Sequence, residues 1–188
     1  SRIYNSYYHK EGRIWDMHNH NESDWPLCYA LFFSASSKSD EYAESATIIA
    51  YMKYSEVVQW ENTFNTVSSE DSRGEDYDWF KKQKAEVLIN LVEERFQGLK
   101  DSILNYYTAT PLTYRDYIGN PEGAMYGIVK DSANPIKSFI SPKTPIQNLY
   151  LTGQNLNLHG ILGASMSGLV TCIEILGNEN IIDKIRNA

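Results

Sequence analysis

Basic residues, cysteine and long apolar runs are all scarce in this 188-residue chain, and each scarcity excludes something. Lys and Arg number 17 against 24 Asp and Glu, a net charge of −7, whereas a chain that grips a phosphate backbone presents a basic face. No nucleic-acid partner is expected. The two cysteines, Cys28 and Cys172, lie far apart and outside any CxxC spacing, so neither a disulfide framework nor a zinc ribbon is expected, and a reducing, cytoplasmic setting fits. No run of about eighteen apolar residues occurs, and Ser1-Arg2-Ile3-Tyr4 lacks the layout of a secretion signal, so a soluble chain is expected. There is no initiating Met, and the chain opens in a β-like stretch, as a domain cut from a longer protein would.

What is present is a globular composition: 42% hydrophobic, 22% charged and 13% aromatic residues, with 14 tyrosines and four tryptophans supplying half-buried surface. The length suits one domain, or one with an appendage. Leu27 to Phe33 and Ala46 to Tyr54 are apolar runs rich in β-formers, joined by the polar, serine-rich Ser34 to Ser45, which reads as a hairpin in a mixed or antiparallel sheet. From about Tyr77 to Phe96, apolar Phe80, Val87, Leu88, Leu91, Val92 and Phe96 recur at spacings of three and four, which predicts an amphipathic helix across the sheet, ended by Gly98. Ile103 to Thr108 reads as a strand. Thr110-Pro111 then reads as a helix start, because proline at the first helical position gives up an N–H that would be unpaired anyway.

Towards the C-terminus, Ile146 to Gly153 reads as a buried strand leading through a glycine turn into a buried helix from about Gly163 to Leu176, with a last short helix from Asn180 to Arg186. The fold class expected is α+β (mixed α/β): a β-sheet unit with covering helices over 1–145, and a strand, glycine turn and helix over 146–188. An opening helix turn presents unpaired N–H groups and partial positive charge. Glycine at Gly160 and Gly163 lets such a backbone approach a ligand closely, or lets the helix pack closely on its neighbours.

Other constellations are weaker. Asp16, His18, His20 and Asp24 would share a face on a strand, as metal ligands do, but Asn19, Asn21, Glu22 and Ser23 make the stretch a polar loop, and no metal site is expected. Cys28 and Cys172 lie in apolar runs where thiols are usually inert. No catalytic triad stands out.

Leu149-Tyr150-Leu151-Thr152-Gly153-Gln154-Asn155, followed by Gly160-Ile161-Leu162-Gly163-Ala164 and Ser167-Gly168, resembles the C-terminal flavin-contacting segment of the phytoene desaturase, carotenoid isomerase and retinol saturase family, the retinol saturase branch most. Ala109-Thr110-Pro111-Leu112-Thr113-Tyr114-Arg115-Asp116-Tyr117 with Pro121-Glu122-Gly123-Ala124-Met125-Tyr126-Gly127 resembles the segment that precedes it in those enzymes. The resemblance implies a portion of a two-domain FAD-dependent oxidoreductase acting on a polyene or similar apolar substrate, in the cytoplasm or at the membrane periphery.

It implies flavin contacts at Gly153, Gln154, Gly160, Ile161, Leu162 and Gly163, with the amides near Ile161 and Leu162 aimed at the pyrimidine edge of the ring. It places Tyr114, Met125, Tyr126 and His159 on the substrate side. Gln154 stands where many relatives carry an acid. The family's N-terminal dinucleotide fingerprint occurs nowhere in this sequence, so the chain is expected to be inactive alone, to hold FAD weakly, and to need a missing N-terminal FAD-binding segment as partner. An exposed apolar patch is expected where that segment would pack, with dimerisation through it as a further expectation. The rival reading is a non-enzymatic module that binds an apolar ligand or a protein partner.

Overall fold

The computed structural model describes residues 5–13, 16, 20–34, 43–70, 72–131, 133–177 and 181–187. The fold is mixed α and β, and the chain divides into two compact units, Ser1–Gly123 and Ala124–Ala188. No helix among the described residues is long and apolar enough to cross a membrane.

In the first unit, β1 (Asn5–His9), β2 (Cys28–Phe33) and β3 (Ala46–Ala50) form an antiparallel sheet in that order, with Tyr7 opposite Ala30 and Leu31 opposite Ile48. Side chains alternate along a strand, so β2 sends Tyr29 and Leu31 to one face. There they meet Val92 of α1 (Glu75–Glu93), with Leu88, Leu91 and Phe96 packed around them. Each such buried aliphatic side chain contributes roughly 1.5–3 kcal/mol relative to leaving it in water. The earlier part of α1 joins a second cluster, in which Tyr77 packs with Val57, Trp60 and Leu112. α1 opens at Gly74 (φ +92°) with Glu75, Asp76 and Asp78 in its first turn, where acids suit the helix dipole. Beyond its end, the Glu93 carboxylate accepts from the amides of Lys100 and Gly98, each at 2.7 Å, and these bonds hold its carboxyl below the usual range.

α2 (Pro111–Ile118) starts as the Thr110-Pro111 signature predicts. Thr110 Oγ1 accepts from the Leu112 amide at 3.2 Å and shares a 2.7 Å hydrogen bond with the Tyr77 hydroxyl. The Thr110 amide donates to Thr113 Oγ1, completing the reciprocal cap. Gly119 then ends the helix in the left-handed region, at φ +79°. From α2, Asp116 projects a fully buried carboxylate. It accepts from Arg115 Nε at 2.7 Å, from the Asn65 amide at 2.8 Å and from Arg73 Nη2. Arg115 carries the link further, donating to the carbonyls of Glu61 (2.6 Å) and Thr63. One carboxylate thereby ties α2, the two-residue strands β4 (Asn65–Thr66) and β5 (Ser69–Glu70), and the approach to α1.

The second unit is irregular up to α3 (Gly160–Leu176), and α4 (Ile181–Arg186) follows. Four expectations are corrected. Ile103 to Thr108 is no strand: Leu104 is fully exposed, and the segment pairs with no strand among the described residues, without which extended backbone has no ladder. β3 stops at Ala50, because residues 54–56 and 58–60 turn into short 3-10 helices. Ile146 to Gly153 makes only an isolated bridge, Lys143 to Tyr150, and Leu149 and Leu151 are exposed. α3 begins at Gly160 and is not buried all round: its small residues Gly163, Ser167 and Thr171, four apart, form the buried stripe, while Ile161, Leu162, Met166, Ile175 and Leu176 face outward.

The carboxylate of Asp116 is the shared partner of two guanidiniums, so Asp116→Ala is expected to destabilise the first unit by about 3–5 kcal/mol. Urea unfolding of the variant chain measures this; a loss below about 1 kcal/mol, the scale of an exposed ion pair, would contradict the role given to Asp116.

Candidate functional site

The site expected from the sequence falls mainly in the second unit, where three contacts join residues 124–130 to the glycine turn. Lys130 Nζ donates to the carbonyls of Leu156 (2.6 Å), Ser138 (2.8 Å) and Asn155 (3.2 Å). Asn155 packs its side chain against Gly127, where a Cβ would lie 1.6 Å from Asn155 Oδ1, so a larger residue there would displace that amide. Tyr126 and His159 stack with ring centroids 4.3 Å apart and planes 32° from parallel. Together they hold residues 124–130 against the glycine turn that opens α3. Asn155 lies in the quoted glycine-turn motif, but Lys130 has no local sequence signal: a lysine in a loop reveals its carbonyl partners only once the chain has folded.

His159 directly precedes α3 with an extended backbone and makes no side-chain cap. The first amides of a helix have no partner within it, and no acid lies in the first turn of α3 to offset their partial charge. Gly160 (φ +78°) has open space on its Cβ side, as does Gly153 (φ +99°) in the turn. Ile161 and Leu162 are 90% and 73% exposed, which leaves the opening turn accessible. Gly163 differs. A Cβ there would lie 2.2 Å from the Leu158 carbonyl oxygen, so the chain's own turn requires glycine at this position.

Of the remaining expected residues, Gln154 and Met125 are half-buried in the second unit, and Tyr114 is half-buried on α2 of the first. Along the side of α3, Thr171 Oγ1 donates to the Leu151 carbonyl at 2.9 Å and the Ser167 carbonyl at 2.8 Å. The fully buried Ser167 hydroxyl makes no hydrogen bond among the described residues. Cys172 is exposed on α3 rather than packed in an apolar interior. Burial raises the Cys28 thiol above its ordinary value. In the His18 stretch, Asp16 and Asp24 both face Arg13, at 2.7 and 3.7 Å, His20 is buried 4.0 Å from Glu56, and His18 lies outside the described residues. Chemically, the opening turn of α3 offers uncapped donors to an electron-rich or anionic edge, beside a stacked aromatic pair.

No protein-family model matches the chain, and no solved structure matches it. It is similar to the all-trans-retinol 13,14-reductase of Danio rerio, 31% identical over 166 residues, which cover 83% of this chain and 26% of that protein. The Homo sapiens protein of the same name is 28% identical over 169 residues, 86% of this chain and 27% of that protein. A Danio rerio protein named inactive all-trans-retinol 13,14-reductase is 29% identical over 124 residues, 63% of this chain and 19% of that protein. The chain spans about a quarter of the length of the first two relatives. These similarities support a retinol saturase-like family for the chain.

Two substitutions on the buried stripe of α3 should differ in sign. Gly163→Ala sets a methyl against the Leu158 carbonyl and is expected to cost about 1–3 kcal/mol. Ser167→Ala removes a buried hydroxyl that has no partner among the described residues and is expected to be neutral or slightly stabilising. Thermal unfolding followed by circular dichroism measures both, and the reverse order would contradict this packing.

Proposed function

We propose that this chain is the C-terminal, substrate-side part of an FAD-dependent oxidoreductase that reduces a retinoid-like, apolar polyene, and that it is inactive without the rest of that protein. Support comes from likeness to proteins named retinol reductases across more than four-fifths of the chain, which spans about a quarter of their length. The observation that carries the reading is the opening of α3: an uncapped helix start, free of acids and with open space at Gly160.

The residues present fit the electron-rich edge of a flavin. The amides of Ile161 and Leu162 would hold it, Gly153, Gln154, Gly160 and Gly163 would shape the adjoining turn, and FAD when bound supplies the hydride chemistry. Donors fixed in advance at such an edge stabilise negative charge without reorganising. Tyr126 and His159, stacked beside the helix start, would form a flat wall for a conjugated substrate, with Met125 contributing to the same lining. The outward Ile161, Leu162, Met166, Ile175 and Leu176 would be covered by the flavin and the remainder of the protein.

A second reading has one observation in its favour: a similar protein carries the name of an inactive reductase. On that reading the same aromatic and aliphatic surface binds an apolar ligand or a protein without turnover.

Titrating the 188-residue chain with FAD separates these readings. The chain alone is expected to give no stoichiometric flavin spectrum. Co-expressed with a dinucleotide-binding segment encoded ahead of it, it is expected to purify yellow, and Gly160→Val should weaken flavin retention. Tight flavin binding and turnover by the chain alone would contradict the proposal, and preceding codons without a dinucleotide-binding segment would favour the non-enzymatic module.

A further inference from the structure

The first unit holds a polar cleft of about 410 Å³, bounded by the opening turns of α1 and by residues flanking and within α2. Two cations line it, Arg73 and Lys81, both close to the Tyr77 ring: the Arg73 guanidinium carbon is 5.2 Å and Lys81 Nζ 4.8 Å from the ring centroid. The Arg73 side chain is 6% exposed. Its Nε donates to Thr63 Oγ1 at 2.9 Å and its Nη2 to Asp116, while its Nη1 makes no hydrogen bond among the described residues. A guanidinium carries donors on all three nitrogens, so this largely buried residue, which lines the cleft, keeps donors unused among the described residues.

Within the Arg73–Asp116–Arg115 cluster the charges do not cancel, while Glu75, Asp76 and Asp78 stand in the adjoining first turn of α1. Arg73 and Arg115 share the single carboxylate of Asp116, which leaves one net positive charge in that cluster. Lys81 is paired with Asp78, 2.9 Å away and much more exposed than Arg73. Thr108, Thr113 and Tyr117 also line the cleft and supply hydroxyls. The volume lies within the range of small-molecule sites, well above what a lone ion occupies.

We propose that this cleft binds a small organic molecule through an anionic group, a carboxylate or a phosphate, with Arg73 Nη1 as the recessed donor and Lys81 as its second cation. A planar guanidinium suits both anions, and a hydrogen bond to a charged partner is about twice as strong as a neutral one. Asp78 competes for Lys81 and sets the affinity. The assignment uses only the first unit and stands apart from the flavin reading.

The test titrates the full chain at low salt with inorganic phosphate and, separately, with acetate, following heat and Tyr resonances. Saturable one-to-one binding of at least one anion is expected, and the tighter of the two identifies the headgroup. Lys81→Gln should weaken it about tenfold, the loss of one charge-assisted hydrogen bond. Asp78→Asn, which frees Lys81 and removes a like charge, should tighten it several-fold. Neither variant touches the Asp116 cluster, so both should keep the parent's circular dichroism. Absence of saturable binding by either anion, or binding that both folded variants leave unchanged, would overturn the proposal.

Discussion

Long cationic side chains aimed at backbone carbonyls recur throughout both units. Arg115 reaches Glu61 and Thr63, Lys53 reaches His20 at 2.7 Å, Lys10 reaches Asp24 at 2.6 Å, and Lys130 reaches Ser138, Asn155 and Leu156. The constraint behind them is hydrogen-bond accounting. Regular helix and sheet pair their own carbonyls, whereas irregular backbone needs other donors where it is drawn away from water, as at the partly buried bonds to Thr63, His20 and Leu156; the bonds to Glu61, Asp24, Ser138 and Asn155 are exposed. Much of this chain outside α1, α2 and α3 is irregular, and a lysine or arginine can serve two or three carbonyls at once. In the first unit Asp116 fixes the arginine that does so, and thereby the loop geometry around the second core cluster.

In the second unit the same device shapes the proposed site. Lys130 pins residues 124–130 against the turn before α3, which places Tyr126 over His159 at the helix start. The stack is a consequence of that attachment rather than of any regular element. What it borders is an opening helix turn with neither a side-chain cap nor an acid, flanked by outward apolar side chains. A small ligand edge completes such a turn electrostatically, and apolar surface nearby completes it by burial. Relatives named both as a reductase and as an inactive reductase show that likeness of this degree leaves activity to be decided by the site.

Features set by neighbours in sequence were legible: the Thr110-Pro111 cap, the three-and-four spacing of α1 and the apolar, β-forming runs that hold β2 and β3. Each depends on contacts within a few residues. The expected strands at 103–108 and 146–153 failed because strandness belongs to a pair, and apolar β-formers alone do not supply the partner. The helix α3 reads as buried because its residues are apolar on most sides, yet only its small-residue stripe is covered. In the site, Tyr126 and His159 were found from motif resemblance, and the structure brings them together. Lys130 went unmarked, and although Asn155 and Asp116 stand in the quoted motifs, their partners Gly127 and Arg73 were not legible, since these contacts span 8 to 43 residues and nothing local marks them.

The central claim, that the opening amides of α3 await a ligand edge held jointly with another segment, is tested most directly by amide hydrogen exchange at Ile161 and Leu162. The account predicts rapid exchange in the isolated chain and strong protection once the chain is joined to a flavin-loaded dinucleotide-binding segment, with α1 amides unchanged. Protection already present in the isolated chain, or none gained in the flavin-loaded assembly, would contradict it.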